Sequence, residues 1–152
     1  MHFQYYFEDF SVGLTIELGT HEVSRDEMIE FASRYDPQSF HTDEEAAKAS
    51  LYDGLIASGF HTCAIAMRLM CEGYLLQAAS LGSPGVDNVR WLKPVRPGDT
   101  LRGQMTVLES RASISKPDRG TVRHKWEIFN QRDEPAMTME GYGMFKRRNP
   151  GA

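Results

Sequence analysis

Two side chains that can exchange a proton, Asp36 and His41, stand five residues apart in the segment Tyr35-Asp36-Pro37-Gln38-Ser39-Phe40-His41. Eighteen residues after His41, Gly59 opens a long apolar stretch as Ser58-Gly59-Phe60-His61. A carboxylate, an imidazole and the positive end of a helix dipole are the parts needed to add or remove a proton beside a carbonyl. Each part also has a plain structural reading. Asp36 before Pro37 can stabilise a turn, and His41 can be a polar residue that precedes a helix cap.

The surrounding elements must bring these groups together. Residues 1 to 13, rich in aromatics from Phe3 to Phe10, read as an extended lead-in that lies on the body of the protein. Leu14 to Val23 reads as a first strand. Ser24-Arg25-Asp26-Glu27 fits a capping box, and Met28, Ile29, Phe31 and Ala32 continue it as a short amphipathic helix that Pro37 ends. Thr42-Asp43-Glu44-Glu45 repeats the capping pattern, which places His41 immediately before a second helix. From Gly59 to about Gln77, apolar residues cover most of a helix's circumference, so this helix must be enclosed.

The enclosing material follows. Leu81 to Gly85 reads as a loop, and strand-like segments then run over Val86 to Leu92, Thr100 to Ser110, Thr121 to Asn130 and Ala136 to Lys146. Val122, His124, Trp126 and Ile128 alternate with Arg123, Lys125 and Glu127 in a clear period of two. His124 is therefore expected on the inner face with its polar atoms satisfied. Pro97-Gly98-Asp99 and Lys116 to Gly120 supply the turns. The result is a single α+β domain whose antiparallel sheet curls around the long helix. Its uncovered edges predict a homodimer that continues the sheet across a two-fold axis.

Composition narrows the function. The chain has 152 residues, is 41% apolar and carries a net charge of -4. No basic run precedes Lys146-Arg147-Arg148, a cluster expected to keep a terminal strand edge soluble, which argues against nucleic acid as a partner. Cys63 and Cys71 lie about 12 Å apart along one helix and cannot pair. No charged-then-apolar leader and no uninterrupted apolar run of about 18 residues are found, so a soluble cytoplasmic setting without membrane contact is expected. A metal site built from Asp36, His41, Asp43 and His61 matches no familiar ligand spacing.

At Asp36-Pro37-Gln38-Ser39-Phe40-His41-Thr42-Asp43, followed by Ala46 and Ala47, the sequence resembles the MaoC-like dehydratases, the (R)-specific enoyl-CoA hydratases of hot dog fold. Their motif reads Asp-x-Asn-Pro-aliphatic-His with an acidic residue two positions on. Their His-Gly-Met at the start of the central helix corresponds to Ser58-Gly59-Phe60, and Val89 to Asp99 resembles their strand, Pro-Val-x-x-Gly-Asp turn, strand passage. The resemblance spans about residues 7 to 147. Asn-Pro is replaced here by Gln38-Ser39, and the His and Met that flank the glycine are absent.

The resemblance implies reversible hydration of a trans-2-enoyl-CoA. Asp36 and His41 are expected to hold and deprotonate the water. Gly59, with Ser58 and His61 beside it, is expected on the oxyanion and substrate-binding side, its missing side chain letting the thioester approach. Arg90, Lys93 and Arg96 could reach the phosphates of coenzyme A, or stand as solvated charges around a turn. Coenzyme A enters as part of the substrate, and no other cofactor is expected. The rival readings are an acyl-CoA thioesterase of the same fold and an acyl-thioester-binding protein that performs no chemistry.

Overall fold

Period-two alternation becomes burial in the computed structural model, which describes residues 2–151. Along β4 (Arg119–Phe129) every second residue is buried, Val122, His124, Trp126 and Ile128 among them. The other strands are β1 (Thr15–Glu22), β2 (Ser80–Trp91), β3 (Thr100–Ala112) and β5 (Pro135–Lys146). They form one antiparallel sheet in the order β1-β3-β4-β5-β2. The helices are α1 (Arg25–Tyr35), α2 (Ser39–Thr42), α3 (Glu44–Lys48) and α4 (Gly59–Gly73). α4 packs Ile65, Ala66, Leu69 and Met70 into the core, where they meet Leu101, Met105 and Val107 of β3 and Met137 of β5. Each of the leucine, isoleucine, valine and methionine side chains among them contributes about 1.5–3 kcal/mol by leaving water.

Several boundaries differ from the sequence reading, each for a local reason. Leu81 to Gly85 is not a loop; it is the first half of β2, paired with β5 through Ser80↔Phe145, Gly82↔Met144 and Gly85↔Tyr142 with repeated register shifts. β2 lies at the sheet edge, where Pro84 and the glycines cost no inner ladder bond. α4 stops at Gly73 rather than Gln77, and a 3-10 turn, Leu75–Gln77, follows. The N-terminal lead-in is not simply extended. Phe7–Asp9 forms a 3-10 turn, with the Tyr6 amide donating to Asp9 Oδ2 at 2.8 Å, and it drops Phe10 wholly into the core against Phe145. The C-terminal cation Arg148 has a specific partner, Asp9, at 2.6 Å, so it ties the tail to this turn.

His124 also departs from expectation. It is buried among Phe10, Tyr74, Trp126 and Phe145, and neither ring nitrogen meets a hydrogen-bond partner among the described residues. Burial pushes its pKa down to about 4, outweighing the upward pull of the Gly141 backbone nearby, which does not reach hydrogen-bond geometry.

Candidate active site

Three chain segments converge on the proton-transfer pair, and main-chain hydrogen bonds strap them together. Ser24 caps α1 in the expected reciprocal box with Glu27. The helix ends at Asp36, whose non-helical backbone (φ -152°, ψ 69°) suits the residue before a proline. α2 is a single turn that carries His41 inward, so His41 lies within a helix rather than before a cap. The cap of α3 is Asp43, whose carboxylate accepts from the Glu45 and Ala46 amides at 2.9 and 3.1 Å. The loop that follows returns past His41. The Ile56 amide donates to the Phe40 carbonyl at 3.3 Å, and the Ala57 amide to the Val95 carbonyl at 2.9 Å.

This strapping fixes the imidazole. His41 is 5% exposed, and its Nδ1 lies 2.8 Å from the Ile56 carbonyl, to which it must donate. Nε2 is thereby left as the nitrogen that takes up and releases a proton. It faces Asp36 Oδ2 at 3.2 Å. Asp36 is held from both sides: Gln38 Nε2 donates to Oδ1 at 2.7 Å and Ser58 Oγ donates to Oδ2 at 2.7 Å. Burial pushes the carboxyl pKa up, yet these two hydrogen bonds and the nearby His41 charge outweigh it and hold Asp36 below its ordinary value.

Ser58 precedes α4 at the N-cap position, but its hydroxyl makes no cap bond. An N-cap serine ordinarily satisfies an amide of the first turn; this one is committed to Asp36. The His61 and Thr62 amides both donate to the Ser58 carbonyl, and no protein acceptor among the described residues meets the Gly59 or Phe60 amide. A cavity of about 450 Å³ opens here, bordered by Asp36, His41, Gly59, Phe40, Trp91 and Lys93. Acid, base and unpaired amides therefore share one space.

Other expected site residues are placed differently. Ser58 is fully buried and serves Asp36 instead of presenting its hydroxyl to the cavity. His61 lies about 200° around α4 from Gly59, stacked on Phe31 at 4.8 Å, and its buried Nδ1 has no partner among the described residues. It is not a hydrogen-bonded neighbour of the site. The side of Gly59 where a side chain would stand is filled by the Trp91 indole, 2.3 Å from the Cβ position, so it is the amide and not that face that borders the cavity. Arg90 bonds only its neighbour's carbonyl at Val89, Arg96 holds the Tyr52 carbonyl, and Lys93 borders the cavity while paired with Glu134. Among the described residues, no group of three or more His, Cys, Asp or Glu side chains is placed to hold a metal ion. Gln38, Ile56 and Trp91 are the partners that sequence reasoning did not single out. The last two act through a carbonyl and a long-range contact that leave no local signal.

Comparison with known proteins identifies the family and the fold. The family model described as MaoC like domain matches residues 10–127. Over 140 residues the chain is 28% identical to the uncharacterized protein YdeM of Bacillus subtilis, covering 92% of this chain and 98% of that one. The crystal structure of a MaoC-like dehydratase from Rhodospirillum rubrum superposes with a TM-score of 0.88 at 39% identity, over 95% of this chain and 99% of that one. The R-hydratase PhaJ1 of Pseudomonas aeruginosa, at 20% identity and a TM-score of 0.72 over 97% and 92% of the two chains, shares the fold. The sheet curled around α4 is thus a hot dog fold, and the chain belongs to the MaoC-like dehydratase family.

Proposed function

We propose that the protein reversibly hydrates a trans-2-enoyl thioester of coenzyme A to the 3-hydroxyacyl thioester. The observation that carries this reading is the 3.2 Å approach of His41 Nε2 to Asp36 Oδ2 beside two unpaired amides at the start of α4. A water that touches both side chains from the cavity attacks C3 as its proton leaves. The proton passes to His41 Nε2, because both Asp36 oxygens already accept hydrogen bonds and its depressed pKa makes it a poor proton carrier. Asp36 orients the water and balances the imidazolium charge. The enolate oxygen that develops is met by the Gly59 and Phe60 amides and the helix dipole, and C2 then takes a proton from Nε2. The net change is addition of OH to C3 and H to C2.

The reaction as proposed uses no metal or redox cofactor, and of the three cations considered for the coenzyme A phosphates Lys93 is the one at the cavity. The functional unit is a homodimer formed along β2, where Val86, Trp91 and Leu92 are exposed beside Phe60 and Met67 of α4. Free thiols at Cys63 and Cys71 suit a reducing cytoplasm, and no helix among the described residues is long and apolar enough to cross a membrane.

Crotonyl-CoA and longer enoyl-CoAs, followed by loss of the conjugated-thioester absorbance, test the reading. Asp36→Asn and His41→Ala should each lower kcat by about a hundredfold or more. Activity that survives both substitutions rejects the mechanism. Free thiol released from a saturated acyl-CoA would identify a thioesterase instead.

A further inference from the structure

Trp91 and the first peptide of α4 are joined by a contact that the proton chemistry does not use. Trp91 ends β2, and its Nε1 donates to the Gly59 carbonyl at 2.9 Å. A Cβ built on Gly59 would lie 2.3 Å from Cε2, 2.6 Å from Cδ2 and 2.7 Å from Cζ2 of the indole. The ring junction therefore occupies the place a side chain would need, and only glycine allows it. Phe60 flanks the indole edge-on at 5.7 Å, and both rings border the cavity that holds Asp36 and His41.

The consequence for the unpaired amides follows from peptide geometry. The Gly59 carbonyl and the Phe60 N–H belong to one planar unit and point in opposite directions. Fixing one fixes the other. A hydrogen bond accepted at that carbonyl also polarises the same peptide and strengthens its N–H as a donor. Meanwhile the indole wedged against the Gly59 Cα limits rotation of the preceding peptide, which carries the Gly59 N–H.

We propose that Trp91 is a positioning residue, whose indole holds the Gly59–Phe60 peptide so that the two unpaired amides aim at the thioester oxygen. The proposal rests on the hydratase reading of the site and adds to it the device that orients its oxyanion donors. Glycine at position 59 then serves the indole as well as the helix start.

Steady-state kinetics with crotonyl-CoA test this on Trp91→Phe, Trp91→Ala, Gly59→Ala and Gly59→Ala/Trp91→Ala, with thermal denaturation confirming that each variant folds. Trp91→Phe keeps an aromatic ring but loses the donor, and should lower kcat about tenfold with KM within about threefold, the pattern of an interaction felt in the transition state. Gly59→Ala should be more damaged, and adding Trp91→Ala should recover about tenfold of its kcat by removing the clash. An unchanged kcat in Trp91→Phe, or a double variant no better than Gly59→Ala, overturns the proposal. If the wild type hydrates no enoyl thioester, the hydratase reading fails separately. Trp91 is then judged by the amide proton signals of Gly59 and Phe60 on adding butyryl-CoA. Shifts present in the wild type and lost in Trp91→Phe uphold the positioning role, whereas no shift, or equal shifts in both, overturns it.

Discussion

Ser58 Oγ donates a 2.7 Å hydrogen bond to Asp36 Oδ2 from a position with no solvent exposure. The bond favours the ionised carboxylate, so its loss must raise the Asp36 pKa. We expect Ser58→Ala to raise the Asp36 carboxyl pKa toward or above its ordinary value. Titration of the Asp36 carboxyl carbon by NMR measures this, and a carboxyl that titrates at the same pH in both proteins would contradict the role assigned to Ser58.

The unpartnered His124 makes the fold sensitive to acid. Its pKa is about 4 in the folded chain and 6.5 for the ordinary side chain. As pH falls through 6.5 the unfolded chain binds this proton first, so stability declines between pH 6.5 and 4 and the difference is complete below both values. By linkage the loss is about 3 kcal/mol. His124→Leu, which removes two unpaired buried nitrogens, should match or exceed the wild-type melting temperature at pH 7. Its melting temperature should also fall less between pH 7 and pH 4.5.

Gly120 supports the N-terminal turn. A Cβ there would meet the Phe7 ring at 2.3 Å, and Phe7 belongs to the turn that inserts Phe10. Gly120→Ala is expected to cost about 1–3 kcal/mol in chemical denaturation, the range for an overpacked contact. Pairing it with Phe7→Ala should relieve most of the added strain.

Assembly can be tested at the exposed strand. Val86 is 53% exposed on β2 and its Cα pairs with that of Gly141 on one side alone. A charged side chain on such an edge opposes strand addition. Val86→Lys should turn the expected dimer into a monomer in sedimentation experiments at micromolar concentration, and a wild-type monomer would remove the proposed assembly.

Much of this site is legible in the sequence because its key signals are local. The Asp36 to His41 spacing, the Ser24 capping box and the alternation along Thr121 to Asn130 each depend on neighbours within a few residues. The Pro97-Gly98-Asp99 turn is equally readable, with Gly98 at φ +86° and its amide bonded to the Val23 carbonyl. What the sequence concealed depends on distant contacts. Ser58 reads as a residue of the oxyanion and substrate-binding side and instead reaches Asp36, 22 residues away. Leu81 to Gly85 has loop composition, yet an edge strand tolerates it. Gly59 looks like an opening for substrate, and Trp91 from another element fills the space. The direction of His61 is legible in the sequence, since two steps along a helix turn a side chain about 200° away from its start.

The imidazole takes its orientation from the Ile56 carbonyl, and a main-chain oxygen is the same whichever residue stands there. Substitutions at position 56 can therefore reshape the wall of the cavity without disturbing the tautomer next door. In the proposed reaction the wall that would meet the acyl chain and the group that would move the proton are therefore set by different atoms of one residue pair, so one can change while the other stays.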